Sequence, residues 1–391
     1  MPLAMVDDLL AVAKCGNESI DVNISINAEI ECKKLRFHTP DTEGKSKCHV
    51  LHIGKKVMDC HDLAVHGCPM EVVDSDVYLG DIISSNGKNS QNIESRVAKG
   101  LGIVSQILDL LKTVSFGIHF FEIAASLREA MLVNGLLTNC EVWHGITEGE
   151  VSKLEEVDRL LLRQVFQVAS SCPTEALYLE LGCIPLGLVI KSRRISYLHH
   201  LSTRNESEML AQVFRTQWNY PVGKNEWSEQ VRLDLVSFGI SENLEWIRSK
   251  TKISFKTMLK KKTRELALLT LNKMKEGHSK MDNLVYQELA IQSYLKDKRN
   301  SVEEARILFR FRTRMSRFWE NFKGGRPPQT CPVCKDSTSI DTQIHSFQCG
   351  VIKENISISG TYEDIFKTTT DKEVVKTIRN IAKFREELLE K

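Results

Sequence analysis

Hydrophobic and polar residues follow two different patterns along this chain, and the change lies near residue 89. Before it, apolar residues form short runs, and an acidic pair separates the first two runs, Leu3–Val6 and Leu9–Ala13, as in a β-hairpin. Two further runs, Val50–Ile53 and Val77–Leu79, are bounded by glycine and proline and predict strands. From Ile20 to Ile30 the apolar residues alternate, but the charged residues among them also suit a helix, so both interpretations stay open.

After Asn89 the apolar residues recur three and four positions apart, which is the spacing of an amphipathic α-helix. Such helical segments continue to about residue 202, and they resume from 230 to 322 with many lysines and arginines. The more polar residues 203–230 form the best candidate boundary between the two regions. Glycines and prolines break the pattern before a cysteine-rich segment, and residues 371–390 are expected to form a charged helix.

The predicted fold class is α+β, with a small antiparallel sheet followed by a mainly helical region. These patterns divide the chain into five parts. They are a mixed region 1–88, a helical domain 89–205, a basic helical region 206–325, a cysteine-rich segment 326–352 and a helical tail 353–391.

The composition is that of a folded protein, because 391 residues with 42% hydrophobic content can bury one large core or two to three ordinary ones. Lysine and arginine total 53 against 51 acidic residues, so a nucleic-acid partner would have to bind to local patches. Eleven cysteines predict a reducing compartment rather than a disulfide framework. We find no leading signal segment and no apolar run of membrane-spanning length, and we expect an intracellular protein of the nucleus or cytoplasm without a membrane partner.

Four residues with metal-binding side chains lie within nineteen positions, in a C-x2-C-x10-H-x3-C pattern: Cys331, Cys334, His345 and Cys349. Two cysteines three positions apart on a tight turn present both sulfurs to one ion, and an offset of four places the second pair on one face of a helical turn. Three thiolates and one imidazole close a tetrahedral shell, so the pattern predicts a structural zinc ion. Ordinary buried cysteines are the alternative, but zinc would supply folding free energy that so short a segment lacks.

Just before this pattern, cationic residues are interleaved with aromatic ones. Guanidinium groups neutralise phosphates and aromatic faces stack on unpaired bases, so the mixture suits single-stranded RNA or DNA. The alternative is an amphipathic helix with aromatic residues in the core and a solvated basic face. The neighbouring zinc pattern favours nucleic acid. The candidate residues are Arg306, Arg310, Arg312, Arg314, Arg317 and Lys323, and the aromatic ones are Phe309, Phe311, Phe318, Trp319 and Phe322.

A second group of cations lies earlier in the chain. It either extends the same binding surface or forms an ordinary solvated face, and the sequence does not separate the two. Its members are Lys250, Lys252, Lys256, Lys260, Lys261 and Lys262.

The acidic pair in the first hairpin, Asp7 and Asp8, is a weak signal alone because acidic residues are common in solvated turns. Two carboxylates held on a tight turn between hydrophobic strands can also bind Mg²⁺ against the phosphates of a nucleotide. The segments that follow decide between these interpretations.

The order of several segments is similar to the late palm and thumb of reverse transcriptases from non-LTR retrotransposons. Met5–Asp8 resembles the third palm motif, and Lys47–Gly54, a lysine followed by a strand ending in His-x-Gly, resembles the next one. Tyr78–Ile83 resembles the primer-grip hairpin that leads into the first thumb helix. Pro173–Glu180 and the closing cysteine pattern continue the order, and the resemblance covers most of residues 1–205 and 300–350.

The resemblance implies a palm remnant in 1–88, a thumb in 89–205 and a zinc knuckle in 326–352. It also implies that Asp7 binds Mg²⁺ with Asp8 beside it, and that Lys47 protonates the departing pyrophosphate. Tyr78, Leu79 and Gly80 would position the primer end, and the partners would be an RNA template and a DNA primer or target. A surface role for Lys47 and plain strand packing for the hairpin remain alternatives.

Two-metal phosphoryl transfer needs carboxylates from at least two palm strands, and only six residues precede Asp7. We therefore expect a C-terminal fragment of an RNA-directed DNA polymerase that binds nucleic acid and is catalytically incomplete alone. The alternatives are a non-catalytic zinc-containing nucleic-acid-binding protein and a non-functional relic of a mobile element.

Overall fold

A computed structural model describes residues 48–53, 63, 70–113, 119–220, 226–322, 327–367 and 372–389, and the backbone of 2–5, 8–11, 64–65 and 68–69. Helices predominate in these residues, and a small set of short strands precedes them. The predicted α+β class is confirmed at this level. The alternating segment Ile20–Ile30 lies outside the described residues.

The described strands pair two at a time. The first hairpin is present, with Met5 opposite Asp8, and strands also occur at the two other predicted places, 50–53 and 77–79. The strands are β1 (Pro2–Met5), β2 (Asp8–Ala11), β3 (His49–Leu51), β4 (Ala64–Val65), β5 (Cys68–Pro69), β6 (Glu71–Val73), β7 (Ser75–Tyr78) and β8 (Asp81–Ser84).

The expected single antiparallel sheet needs correction. The pairs β1–β2, β4–β5 and β7–β8 are antiparallel, but β3 and β6 run parallel. The β4–β5 pair lies in the connection between β3 and β6, and this long connection lets the chain return in the same direction.

The chain divides into two compact units, residues 1–95 with 143–150 and residues 96–142 with 151–391. The first contains all the described strands, and the second is helical. The five-part division made from the sequence stays a prediction. The helices are α1 (Ser90–Thr113), α2 (Phe120–Leu127), α3 (Asn134–Leu136), α4 (Glu148–Phe166), α5 (Thr174–Leu181), α6 (Leu186–Ser202), α7 (Met209–Asn219), α8 (Trp227–Ser237), α9 (Leu244–Arg248), α10 (Lys252–Lys275), α11 (Ser293–Lys296), α12 (Val302–Arg312), α13 (Gln343–Gln348), α14 (Gly350–Asn355) and α15 (Lys372–Leu389).

Between α2 and α3 the helix continues through a π-helical turn, Arg128–Val133. Arg128 at the start of this turn is buried, and its guanidinium donates two hydrogen bonds, of 2.7 and 2.6 Å, to the two carboxylate oxygens of Asp158. The hydroxyl of Tyr178 donates to the same carboxylate at 2.9 Å. Burial raises the pKa of Tyr178 well above its ordinary value, and the charge of Asp158 adds to this effect. A buried arginine without this carboxylate would be strongly destabilising.

The polar residues 203–230, a candidate boundary in the sequence, contain α7. Phe214 and Trp218 of α7 belong to one hydrophobic cluster with residues of α6, α8 and α10, such as Leu198, Val231 and Phe255. A side-chain ion pair, Arg194 to Asp234 at 2.8 Å, also joins α6 to α8. The described parts of this segment, 203–220 and 226–230, therefore contribute to the core of the second unit.

Gly182 ends α5 and lets two backbone segments approach closely. Its φ is +66°, a left-handed conformation that costs other residues free energy. A Cβ at this position would lie 2.5 Å from the carbonyl carbon of Ala290. The neighbouring residues Leu181 and Ile291 form an antiparallel β-bridge, so a glycine is required at this crossing.

The final helix, α15, packs against α12, and the predicted charged helix at 371–390 is thus confirmed. Its buried face carries Val374, Ile378 and Ile381. None of the described helices has the combination of length and apolar character that a bilayer span requires.

Candidate metal centre and nucleic-acid surface

The four residues of the cysteine and histidine pattern converge in the second unit. The ligand atoms of Cys331, Cys334, His345 and Cys349 all lie within 4.8 Å of one another. The Cys334 sulfur is 3.5 Å from Nε2 of His345. A tetrahedral zinc with its usual bond lengths separates a sulfur from a nitrogen by roughly 3.5 Å and two sulfurs by roughly 3.8 Å. The group can therefore hold a metal ion.

A short β-bridge and a tight turn place the two leading cysteines. Thr330 and Ile340 pair antiparallel, and the Cys331 N–H donates to the Ser339 carbonyl at 2.8 Å. The turn closes where Lys335, at φ +54°, donates its N–H to the Cys331 carbonyl at 2.9 Å. The turn thereby directs both thiols to the same side, as the spacing of three predicts.

Helix α13 supplies the other two ligands. Thr342 caps its N-terminus by accepting a hydrogen bond from the His345 N–H at 2.9 Å. Cys349 follows the last residue of α13, and its N–H donates to the His345 carbonyl at 2.7 Å. One helical turn therefore separates the two ligands, as the sequence predicts.

A buried ion pair, which was not predicted from the sequence, attaches this loop to the last helix. Asp341 and Arg385 of α15 lie 2.9 Å apart, with 10% and 5% of their side chains exposed. The same carboxylate accepts the Trp319 N–H at 2.9 Å, and the Arg385 guanidinium lies 4.1 Å from the Phe318 ring centroid. The signal was available, because Arg385 continues the buried spacing of Ile378 and Ile381.

Comparison of the chain with protein-family models, curated proteins and solved structures found no match.

Arg312, a predicted phosphate ligand, lies in the core instead. Its Nε donates to the carboxylate of Glu180 at 3.1 Å, with 4% and 0% of the two side chains exposed, and it also donates to the Ile365 carbonyl at 2.8 Å. The Tyr286 hydroxyl donates to Glu180 at 2.6 Å. The prediction for Arg312 is corrected, since its charge is neutralised inside the protein and does not face solvent.

Most of the Arg306 side chain is also buried and makes contacts within the protein. Its Nε donates to the Val165 carbonyl at 3.0 Å, and its guanidinium lies 5.0 Å from the Phe120 ring centroid. Burial lowers the pKa of this guanidinium. Arg306 therefore serves packing between helices more than a surface role.

The remaining candidate cations differ in exposure. Arg317 is exposed, and the half-buried Arg310 forms an ion pair with Glu303 at 2.7 Å. Arg314 is also half-buried and lies beside the Tyr362 hydroxyl. Burial raises the pKa of Tyr362, and the charge of Arg314 partly opposes this effect. Lys323 lies outside the described residues. Arg310, Arg314 and Arg317 are thus the described members of this set that can reach a ligand.

The aromatic residues of the same segment mostly belong to the core. Phe309 stacks on Phe166 with ring centroids 3.9 Å apart, and Phe311 contacts Phe318 edge to face. Phe322 is exposed at 38% and has Lys280 above its ring at 4.8 Å. The alternative of an amphipathic helix with an aromatic core therefore holds for the three buried phenylalanines.

The residues assigned by resemblance to the palm are described only in part. Asp7 and Lys47 lie outside the described residues, and Asp8 begins β2, where its backbone alone is described. Tyr78, Leu79 and Gly80 form the β7–β8 hairpin, in which both turn residues have positive φ, +49° and +85°. This is the geometry of a type I′ turn.

The hairpin is held to the start of α1. The Asn92 amide donates to the Asp81 carboxylate at 2.9 Å and accepts the Ile82 N–H at 3.2 Å. Trp143 donates from its indole nitrogen to the same carboxylate at 3.4 Å. Within the first unit, the hairpin tip is therefore fixed to Asn92 and Trp143.

Proposed function

We propose that this chain is the C-terminal part of a non-LTR retrotransposon reverse transcriptase, that it binds nucleic acid around a structural zinc ion, and that it does not polymerise DNA alone. The observation that carries the proposal is the convergence of four metal ligands in a segment that follows Arg317 and other cations in the sequence. The order of the palm-like, hairpin and helical segments in the sequence supports the choice of family.

The donor set favours zinc. Three sulfurs and one imidazole nitrogen are soft and borderline ligands, and four protein ligands leave no open position for water. Zinc bound here would fix the turn at Cys331 to α13 and would contribute no reaction step. The exposed Arg317 and half-buried Arg310 and Arg314 then provide cations for phosphates close to the metal loop in sequence.

Elemental analysis of the purified chain tests the metal. We expect one zinc per chain, and we expect Cys334→Ser to lose it. The matched control is Cys48→Ser, which changes a half-buried cysteine outside the metal group and should keep the zinc. A wild-type chain purified without metal that also fails to take up zinc on refolding would refute this part of the proposal.

A binding assay tests the nucleic-acid function. We expect the chain to bind a single-stranded RNA oligonucleotide, with a salt dependence that falls by roughly 0.7 in logarithmic slope for each phosphate contact removed. Arg317→Gln should weaken binding, whereas Arg379→Gln, an exposed arginine of α15 paired with Glu304, is the control and should not. Equal affinities for both variants would contradict a role for this surface.

Primer extension separates the catalytic alternatives. With Mg²⁺, template and primer we expect no extension by the chain alone, because two-metal phosphoryl transfer needs carboxylates from at least two palm strands and the resemblance assigns one pair, Asp7 and Asp8. Extension would refute catalytic incompleteness. In-frame coding sequence upstream of Met1 that contains the missing aspartate motif would favour a polymerase fragment over a self-standing nucleic-acid-binding protein. A chain that never folds would favour a relic.

A further inference from the structure

A cleft of about 390 Å³ lies in the second unit between α6 and the start of α10. Its walls include Arg193, Tyr197 and His200 on α6, and Lys252 and Lys256 on α10. This volume falls in the range of small-ligand sites, roughly 300–1,000 Å³. The metal group and the arginine-rich segment do not contribute to its lining.

More cationic than acidic side chains line the cleft, and two of them are lysines at the start of α10. Lys252 and Lys256 are exposed and lie four positions apart at the beginning of a 24-residue helix, so they share a face. The N-terminal end of a helix carries a partial positive charge, and lysines there are unfavourable. Among the described residues neither lysine forms an ion pair, and Glu141 is the acidic residue that lines the cleft. The arrangement favours an anionic ligand.

Arg193 is held in place at the edge of the cleft. Its guanidinium donates to the Leu137 carbonyl at 2.8 Å and to the Asn134 side-chain oxygen at 2.6 Å. These neutral acceptors fix its direction, and no carboxylate among the described residues forms an ion pair with it. The field inside the cleft therefore comes from three cationic residues against one acidic residue.

Aromatic rings lie beside these cations. Tyr197 and His200 stack with centroids 5.9 Å apart and planes inclined by 29°, and the exposed His200 ring accepts a hydrogen bond from Arg204 at 3.0 Å. At the base, His199 stacks on Phe255 at 4.5 Å and donates from Nε2 to the Lys250 carbonyl. Rings of this kind can stack on an unpaired base, which duplexes do not offer.

We propose that this cleft binds one nucleotide unit of a single-stranded nucleic acid, with the phosphate at Lys252 and Lys256 and the base against Tyr197 and His200. The proposal rests on the proposed function for the class of ligand, and it adds a site for that ligand. It also assigns a role to part of the lysine group for which the sequence left a solvated face equally open.

Fluorescence anisotropy with a labelled oligouridylate tests the cations. The variant is Lys252→Ala with Lys256→Ala, and the matched control is Lys273→Ala with Lys376→Ala, which removes the same charge from exposed positions outside the cleft lining. Loss of the one single-strand phosphate contact that the two lysines share should lower the logarithmic salt slope by about 0.7, which is roughly 5-fold weaker binding at 0.1 M salt. The control should change the slope by less than about 0.3.

Photocrosslinking tests the rings. An oligonucleotide carrying 4-thiouridine should crosslink to Tyr197 or His200, and an excess of unlabelled single strand should displace it. A crosslink that maps elsewhere, or preference for a duplex of equal length, would overturn the assignment.

The binding measurements distinguish failure of the proposed nucleic-acid function from failure of the proposed cleft. A wild-type chain that binds no oligonucleotide refutes the nucleic-acid function and with it the ligand of the cleft. Wild-type binding that is weakened by Arg317→Gln but unchanged by Lys252→Ala with Lys256→Ala refutes the cleft alone.

Discussion

Replacement of Arg312 by methionine should destabilise the protein severely. The Arg312 guanidinium is almost fully buried inside the second unit, where it neutralises the Glu180 carboxylate. Methionine keeps most of the side-chain volume but leaves the Glu180 carboxylate buried without its cation, while the Tyr286 hydroxyl still donates to it at 2.6 Å. Breaking a buried ion pair by removing one partner costs about 3–5 kcal/mol, and this is the loss we expect in the free energy of unfolding.

Urea denaturation followed by far-UV circular dichroism measures this loss. The matched control is Arg310→Met, two positions earlier, because Arg310 pairs with the half-exposed Glu303 and an exposed pair contributes about 0–1 kcal/mol. Glu180→Gln in the Arg312→Met background should recover about 2 kcal/mol, since the uncompensated charge is then removed.

The reasoning is refuted if Arg312→Met unfolds within about 1 kcal/mol of the wild type. A variant of wild-type stability that has lost RNA binding would restore the interpretation of Arg312 as a phosphate ligand.

Three further outcomes follow from the structure. Gly182→Ala should destabilise by at least about 2 kcal/mol through its positive φ and the backbone contact, whereas Gly102→Ala, in α1 with open space around it, should stabilise by about 0.5–1 kcal/mol in the same urea assay. Arg385→Met should weaken zinc binding in a chelator competition because the metal loop loses the ion pair at Asp341, and unchanged affinity would contradict that coupling. Lys367 and the N–H and hydroxyl of Thr361 lower the pKa of Asp364 from 3.8 to about 2. The contribution of Asp364 to stability is therefore present above pH 3.8 and is lost as the pH falls toward 2. An NMR titration that gives this carboxyl group an ordinary midpoint would contradict this.

The sequence predicted the metal group well because both halves of it are local. A Cys-x2-Cys turn and a His-x3-Cys helical turn each bring two ligands together within a few residues, and one β-bridge between Thr330 and Ile340 joins the leading turn to its return strand. The helices after residue 89 were predictable for a similar reason, since each has its own periodicity.

Partners distant in sequence were not predictable in this way. Arg312 and Glu180 are 132 positions apart, and Arg385 and Asp341 are 44 apart. Each arginine nevertheless continues the spacing of the apolar residues on its helix, as Arg312 does after Leu308 and Phe309. A basic residue on an apolar face indicates a buried carboxylate partner, but periodicity does not identify which carboxylate. The roles that the resemblance implies for Asp7 and Lys47 stay predictions, because both residues lie outside the described residues.

The π-helical turn at Arg128–Val133 accommodates a spacing of buried residues that does not match the 3.6 residues per turn of an α-helix. Ala124, Arg128, Leu132 and Leu136 are buried at a strict interval of four residues. In an ideal α-helix each such interval overshoots a full revolution by about 40°, so three intervals would carry the last side chain about 120° around the axis. The wider turn absorbs this drift, and one surplus residue keeps an arginine and two leucines pointing inward. Removal of a single residue between 128 and 133 would return the segment to ordinary α-helical winding and leave the residues that follow it facing the interior.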